Sequence, residues 1–163
     1  MRLAPAAERH EQKPGMSDGP LWITEAEVEA LVDPLALIAA VEQGFLAAEA
    51  GAIREPGSTR MDGLDGGDSY LTLYPAHAEG GFATAKILAG RPANAREGRP
   101  EIDALVTLVD PATGCIAAIL SGRALTALRT AAATAALLRR LMRRTPARIA
   151  LIGTGGQARA HGR

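Results

Sequence analysis

Three cations and one glycine turn are the residues of this sequence whose type and setting could carry chemistry. Lys86 stands in the apolar stretch GFATAKILA, in a chain whose only other lysine is Lys13 and whose remaining basic residues are all arginine. A strand at that place wants burial. Either the ammonium snorkels to water along its own stem, or it faces a ligand as a compact donor whose pKa its surroundings can move. Arg129 is the sole charge of LTALRTAAATAA. On a helix of small residues it is either solvated and ion-paired or turned toward a ligand carboxylate, which a guanidinium grips with two parallel hydrogen bonds. Arg60 lies in EPGSTRMDG, read as a loop before the first strand of a sheet, and carries little weight alone. Near the end, RIALIGTGGQA sends a short apolar run into a Gly-x-Gly-x-x-Ala turn at Gly153, Gly155 and Ala158. A strand delivers a dinucleotide's pyrophosphate to a helix N-terminus in this way, although paired glycines also serve ordinary turns.

The elements that must position these residues follow from pattern. Residues 1–20 mix charge, Pro and Gly without a period and are expected to be a disordered tail. Residues 21–23 suit a short strand, and Thr24 with Glu27 three positions on forms a capping box that opens a helix. Asp33 and Pro34 are the N-cap and first residue of a second helix, whose apolar residues Ile38, Val41, Phe45 and Leu46 recur at helical spacing until Gly51. The period then changes to two. Residues 69–74, 82–89 and 104–109 read as strands, and the turn DPATG at 110–114 returns the chain into a further strand at 115–120, so 104–120 is a hairpin. The alanine-rich segment 125–142 is the strongest helix signal, ended by Thr145-Pro146. Residues 148–152 should be a strand. The fold class is α+β: a substrate and dimerisation domain over 21–122 with a mostly antiparallel sheet, followed over 123–163 by the truncated start of a Rossmann-type dinucleotide-binding domain.

Bulk properties narrow the partners. A formal net charge of +0 argues against nucleic acid and anionic membrane surfaces, both of which select a basic excess. No apolar run reaches the roughly 18 residues of a membrane span, and the single cysteine, Cys115, fits a reducing cytoplasm. With 47% hydrophobic residues a packed core is possible, so a small-molecule or protein partner is expected.

Taken in order, MDG…YPA, GFATAKILAGRPAN, DPATG, LTALRTAAATAA and LIGTGGQA resemble the ornithine cyclodeaminase/mu-crystallin family of nicotinamide-dependent enzymes over residues 21–161. The resemblance implies NAD or NADP as cofactor, a homodimer paired through the sheet of the first domain, and hydride chemistry at an amino-acid α-carbon. That chemistry is ornithine to proline with loss of ammonia, or part of the cycle, as in ketimine reductases and amino-acid dehydrogenases. It implies Arg60, Lys86 and Arg129 as ligands of the substrate carboxylate, with Arg129 also near the cofactor, and the turn residues Gly153, Gly155, Gly156 and Gln157 against the pyrophosphate. Two departures stand out. After Gly98-Arg99-Pro100 the family carries Thr or Ser near the cofactor, where this chain has Glu101. The family's catalytic aspartate and the remainder of its nucleotide domain correspond to positions past residue 163, so the chain alone is expected to be inactive, at most self-associating through its sheet.

Overall fold

The structure, a computed structural model, describes residues 19–144 and 148–162. The expected tail at 1–20 therefore lies almost entirely outside the described residues, as does the Thr145-Pro146 stop. The chain enters through β1 (Leu21–Ile23) and turns into α1 (Glu25–Leu31) at the expected capping box. The Thr24 amide donates to Glu27 Oε2 at 2.8 Å, and the Glu27 amide donates back to Thr24 Oγ1 at 3.4 Å. α2 (Pro34–Glu49) starts where Asp33 and Pro34 predict, with the Ala36 amide donating to Asp33 Oδ1 at 2.7 Å. Both helices open this way because a side-chain oxygen satisfies an amide that has no partner one turn back.

The sheet has seven strands: β1, β2 (Ile53–Arg54), β3 (Thr59–Asp62), β4 (Tyr70–Ala78), β5 (Ala83–Gly90), β6 (Ile102–Val109) and β7 (Ile116–Ser121). They run in the order β1-β7-β6-β5-β4-β2, with β3 also on β4, and every pairing is antiparallel except β1 with β7. The 104–120 hairpin forms as expected. Its turn closes by Gly114 N–H to Asp110 O at 2.8 Å, with Gly114 at a φ of 72° that favours glycine. β4 runs four residues past the expected strand, across Pro75, which sits between the stretch paired with β3 and the stretch paired with β2. A proline is tolerated where an edge leaves such a gap.

Successive residues of a strand face opposite ways, and the register gives the sheet two distinct faces. Thr72, Tyr74, Thr84, Lys86, Leu88, Ala104 and Val106 share one face, over which α3 (Gly122–Leu141) lies. Leu73, Ile87 and Leu105 share the other and stay more than a third exposed. The core is built largely of alanine, with Ala104, Ala118, Ala124, Ala132 and Ala136 buried alongside Val28, so helices and sheet approach closely. No single described helix is long and apolar enough to cross a membrane.

Three expectations need correction. Arg60 is not in a loop: Thr59–Asp62 pairs with Tyr70–Leu73 as β3, a strand without alternation because all four of its residues are exposed. The alanine-rich helix begins at Gly122, three residues earlier than expected, and ends at Leu141. The expected strand at 148–152 does not form; these residues pair with no strand of the described chain, and Ile152 is fully exposed. The short helix α4 (Gly156–His161) forms nonetheless. It docks on α3 by burying Ala160 and placing His161 Nε2 3.0 Å from Thr134 Oγ1.

Candidate functional site

A cavity of about 430 Å³ opens between the α3-covered face of the sheet and α3 itself. Tyr74, Lys86 and Val106 line it from three adjacent strands, Leu125, Thr126 and Arg129 from the helix, and Glu55 from just beyond β2. β4–β5 pairing sets Tyr74 directly opposite Lys86, whose Nζ lies 5.8 Å from the Tyr74 ring centroid. Helical spacing brings Leu125 and Thr126, four and three residues before Arg129, to the side of α3 that carries Arg129. The Thr126 hydroxyl donates to Gly122 O, one turn back, so its proton is used within the helix.

Lys86 and Arg129 both line this cavity, and their like charges repel each other. Lys86 is half-buried, and burial pushes its pKa below the ordinary lysine value; the Arg129 charge pushes it the same way. Neither cation has a hydrogen-bonded or ion-paired partner among the described residues. Two like charges in one cavity, neither of them hydrogen-bonded or ion-paired to a described residue, suit an anion, and a bidentate or bridging carboxylate fits such a pair. The volume lies near the lower end of small-ligand sites.

Arg60 stands apart. It shares the face of the sheet with Lys86 but does not line the cavity. Its Nε donates to Asp62 Oδ1 at 2.8 Å, and its guanidinium carbon lies 3.7 Å from the centroid of the Tyr70 ring. Glu101 is exposed at the edge of β6 and does not reach the cavity either; its carbonyl accepts the Arg91 amide at 2.8 Å. Tyr74 and Thr126 were missed from the sequence. The two-residue period would have put Tyr74 on the Lys86 face once the pairing was known, whereas nothing in the sequence singles out Glu55.

The turn from β3 to β4 is fixed by Asp65. Its Oδ1 accepts from Ser69 Oγ at 2.5 Å and from the Gly67 amide at 3.0 Å, and its Oδ2 meets Arg91 Nε at 3.1 Å. The Ser69 hydroxyl, the Gly67 amide and the Arg91 guanidinium together hold the Asp65 carboxyl well below the usual carboxylate range.

Of the expected cofactor residues, Gly153 has a φ of 105°, Gly155 is the N-cap of α4 with no side-chain cap, and Gly156 and Gln157 begin that helix. A Cβ at Gly155 or Gly156 would meet nothing within 4 Å, so a pyrophosphate can approach the backbone there. These residues fit one wall of a dinucleotide site. A second cavity, about 360 Å³ between α2, α3 and residues 149–151, is largely apolar, lined by Val32, Leu37, Ile38, Leu128 and Leu138, with Thr134 and His161 the polar side chains on its wall.

Known proteins resemble this chain in sequence and in fold. The model of the ornithine cyclodeaminase/mu-crystallin family matches residues 20–162. Alanine dehydrogenase of Archaeoglobus fulgidus is 33% identical over 138 residues, 85% of this chain and 42% of that protein. Delta(1)-pyrroline-2-carboxylate reductase 2 of Burkholderia ambifaria is 37% identical over 136 residues, 83% of this chain and 43% of its own length. Among solved structures, the Delta(1)-pyrroline-2-carboxylate reductase of Thermococcus litoralis in complex with NADH and L-proline superposes with a TM-score of 0.71 at 27% identity, over 76% of this chain and 38% of that one. The chain spans less than half the length of these relatives. With a family model covering nearly all of its described residues, it belongs to the ornithine cyclodeaminase/mu-crystallin family.

Proposed function

We propose that this chain holds the carboxylate of a small amino acid or cyclic imine between Lys86 and Arg129, as the substrate side of a cytoplasmic, NAD- or NADP-dependent enzyme of amino-acid metabolism. The observation that carries the reading is the pair of cations, neither hydrogen-bonded nor ion-paired to a described residue, in one small cavity. The cofactor, when bound, exchanges hydride with the carbon next to the carboxylate. The chain's own part is orientation: two cations on opposite walls fix the carboxylate, so the adjacent carbon is held in one place, and such positioning is a large share of what an enzyme supplies. Tyr74 forms the wall beside Lys86, and Glu55 is the one acidic residue lining the cavity. In this reading residues 21–122 are the substrate and dimerisation unit and 123–163 begin the nucleotide domain. The open sheet face with Leu73, Ile87 and Leu105 would pair two copies. Oxidative ring closure of ornithine with ammonia release, ketimine reduction and amino-acid dehydrogenation are the candidate reactions.

Titration calorimetry of the chain with L-proline tests the clamp. Removing Lys86 or Arg129 should weaken binding by about 1.5–3 kcal/mol, the range for a hydrogen bond to a charged group, or roughly ten- to a hundredfold. Lys86→Ala and Arg129→Ala variants that bind as tightly as the parent would refute the assignment. A second reading, carboxylate binding without turnover by these 163 residues, is favoured by the unpaired state of 148–152. Assays with NAD and NADP against ornithine, lysine, alanine and a cyclic imine separate the two, because turnover abolished by Lys86→Ala would dismiss the second.

A further inference from the structure

Arg60 is the one expected carboxylate ligand that lies outside the cavity, and the structure shows what it is engaged with instead. Its guanidinium pairs with Asp62 at 2.8 Å through both Nε and Nη2. It also lies flat enough on Tyr70 to put its carbon 3.7 Å from the ring centroid. The Tyr70 ring can extend beneath it only because the residue opposite on β5 is Gly90, where a Cβ would stand 2.2 Å from Tyr70 Cζ. The seat for Arg60 is therefore built by β3, β4 and β5 together.

That seat is one lateral row from the cavity. Arg60 pairs with Thr72, Thr72 pairs with Leu88, and Leu88 lines the cavity. Two strand spacings, about 10 Å, separate the backbones of Arg60 and Leu88. Only the small, buried side chain of Thr72 lies between them in that row. The ion pair holding Arg60 is exposed, at 47% for the arginine side chain and 69% for the aspartate. Exposed pairs are weak because water screens them, so a carboxylate arriving in the cavity can compete for the guanidinium.

We infer that Asp62 is an internal competitor of the substrate carboxylate, parking Arg60 on Tyr70 until a ligand exchanges for it. The inference rests on the carboxylate-binding reading above. Asp62 is in this sense a positioning residue. It touches no substrate and acts only through Arg60.

A double-mutant cycle on the chain, read by calorimetry with L-proline, tests this. Asp62→Asn keeps the shape and removes the competing charge. The dissociation constant should fall by up to about fivefold, the factor an exposed ion pair contributes, and it should rise in Arg60→Ala. In the Arg60→Ala background Asp62→Asn should change nothing. Weaker or unchanged binding in Asp62→Asn would overturn the inference. So would equal tightening with and without Arg60, which would mark a general field effect. If Lys86→Ala and Arg129→Ala lose binding while Asp62→Asn has no effect, the competitor role fails and the clamp stands; if the parent chain binds no proline, both fail.

Discussion

Gly122→Ala and Gly44→Ala are the same chemical change in two helices, and the structure assigns them opposite signs. Gly122 opens α3, and a Cβ there would stand 2.8 Å from both the carbonyl carbon and the Cβ of Ala104 in β6. Carbon atoms in contact prefer about 3.5–4.0 Å, so the first turn of α3 must retreat by roughly 1 Å from a strand that is itself held on both sides. Overpacking of this kind costs about 1–3 kcal/mol, against a propensity gain for alanine over glycine of at most about 1 kcal/mol. The clash wins, by up to about 2 kcal/mol. At Gly44, inside α2, a Cβ meets nothing within 4 Å, and only the gain of about 0.5–1 kcal/mol remains. In a domain of this size each kcal/mol moves Tm by about 2–4 °C. Gly44→Ala should therefore melt about 1–4 °C above the parent, and Gly122→Ala up to about 8 °C below it, by differential scanning calorimetry. Arg129 lies two turns further along α3, so Gly122→Ala should also weaken proline binding, while Gly44→Ala should leave it unchanged. A Gly122→Ala protein as stable as Gly44→Ala would show that the closeness of α3 to β6 is not what requires glycine there.

Other consequences follow from charge and from the glycine turn. Because burial and Arg129 hold the Lys86 pKa below that of an ordinary lysine, carboxylate affinity should fall as pH rises through that depressed value. The negative charge of a bound carboxylate favours the ammonium and counters both influences, so alkaline binding should take up protons, measurable as a buffer-dependent heat; Lys86→Arg should move the fall to higher pH. Asp65 is the opposite case. Its folded pKa is depressed, so its contribution to stability is present above its unfolded value and disappears as pH falls through the folded one. Asp65→Asn should lower Tm at neutral pH, with the gap to the parent closing in strong acid. A gap that persists there would mean the amide disturbs the turn by shape rather than charge. The 163-residue chain should also bind NAD no more tightly than millimolar, by calorimetry, since 148–152 pairs with no strand.

The parts legible in the sequence were those decided locally. Thr24 with Glu27, and Asp33 with Pro34, act within one turn of chain, and both caps form where the residues stand. The Asp110–Gly114 turn fixes its own hairpin. Lys86 and Arg129 could be picked out because each is a lone charge in an apolar or small-residue segment. What escaped depends on partners distant in sequence. β3 exists because Thr59–Asp62 finds β4, not because its four exposed residues alternate. Gly122 looks like a helix breaker until Ala104 is seen against it. The run at 148–152 has the composition of a buried strand, but a strand is defined by its neighbour, and it has none among the described residues.

α4 shows how the two halves of the proposed chemistry meet. A helix of six residues is far below the length that is stable alone in water, about 12–15 residues, and no sheet delivers this one. Its order comes instead from α3: Ala160 is buried, and His161 bridges the Gln157 carbonyl at 2.8 Å and the Thr134 hydroxyl at 3.0 Å. Thr134 lies five residues past Arg129, between one and two turns along the same helix. The glycine turn is therefore docked on the element that carries half of the proposed carboxylate clamp, while β5 carries the other half through Lys86. Any displacement of α3 relative to the sheet moves Arg129 away from Lys86 and takes the glycine turn with it. The distance between the carboxylate site and the cofactor turn is thus set within one helix, and the width of the clamp is set by the contact at Gly122 and Ala104.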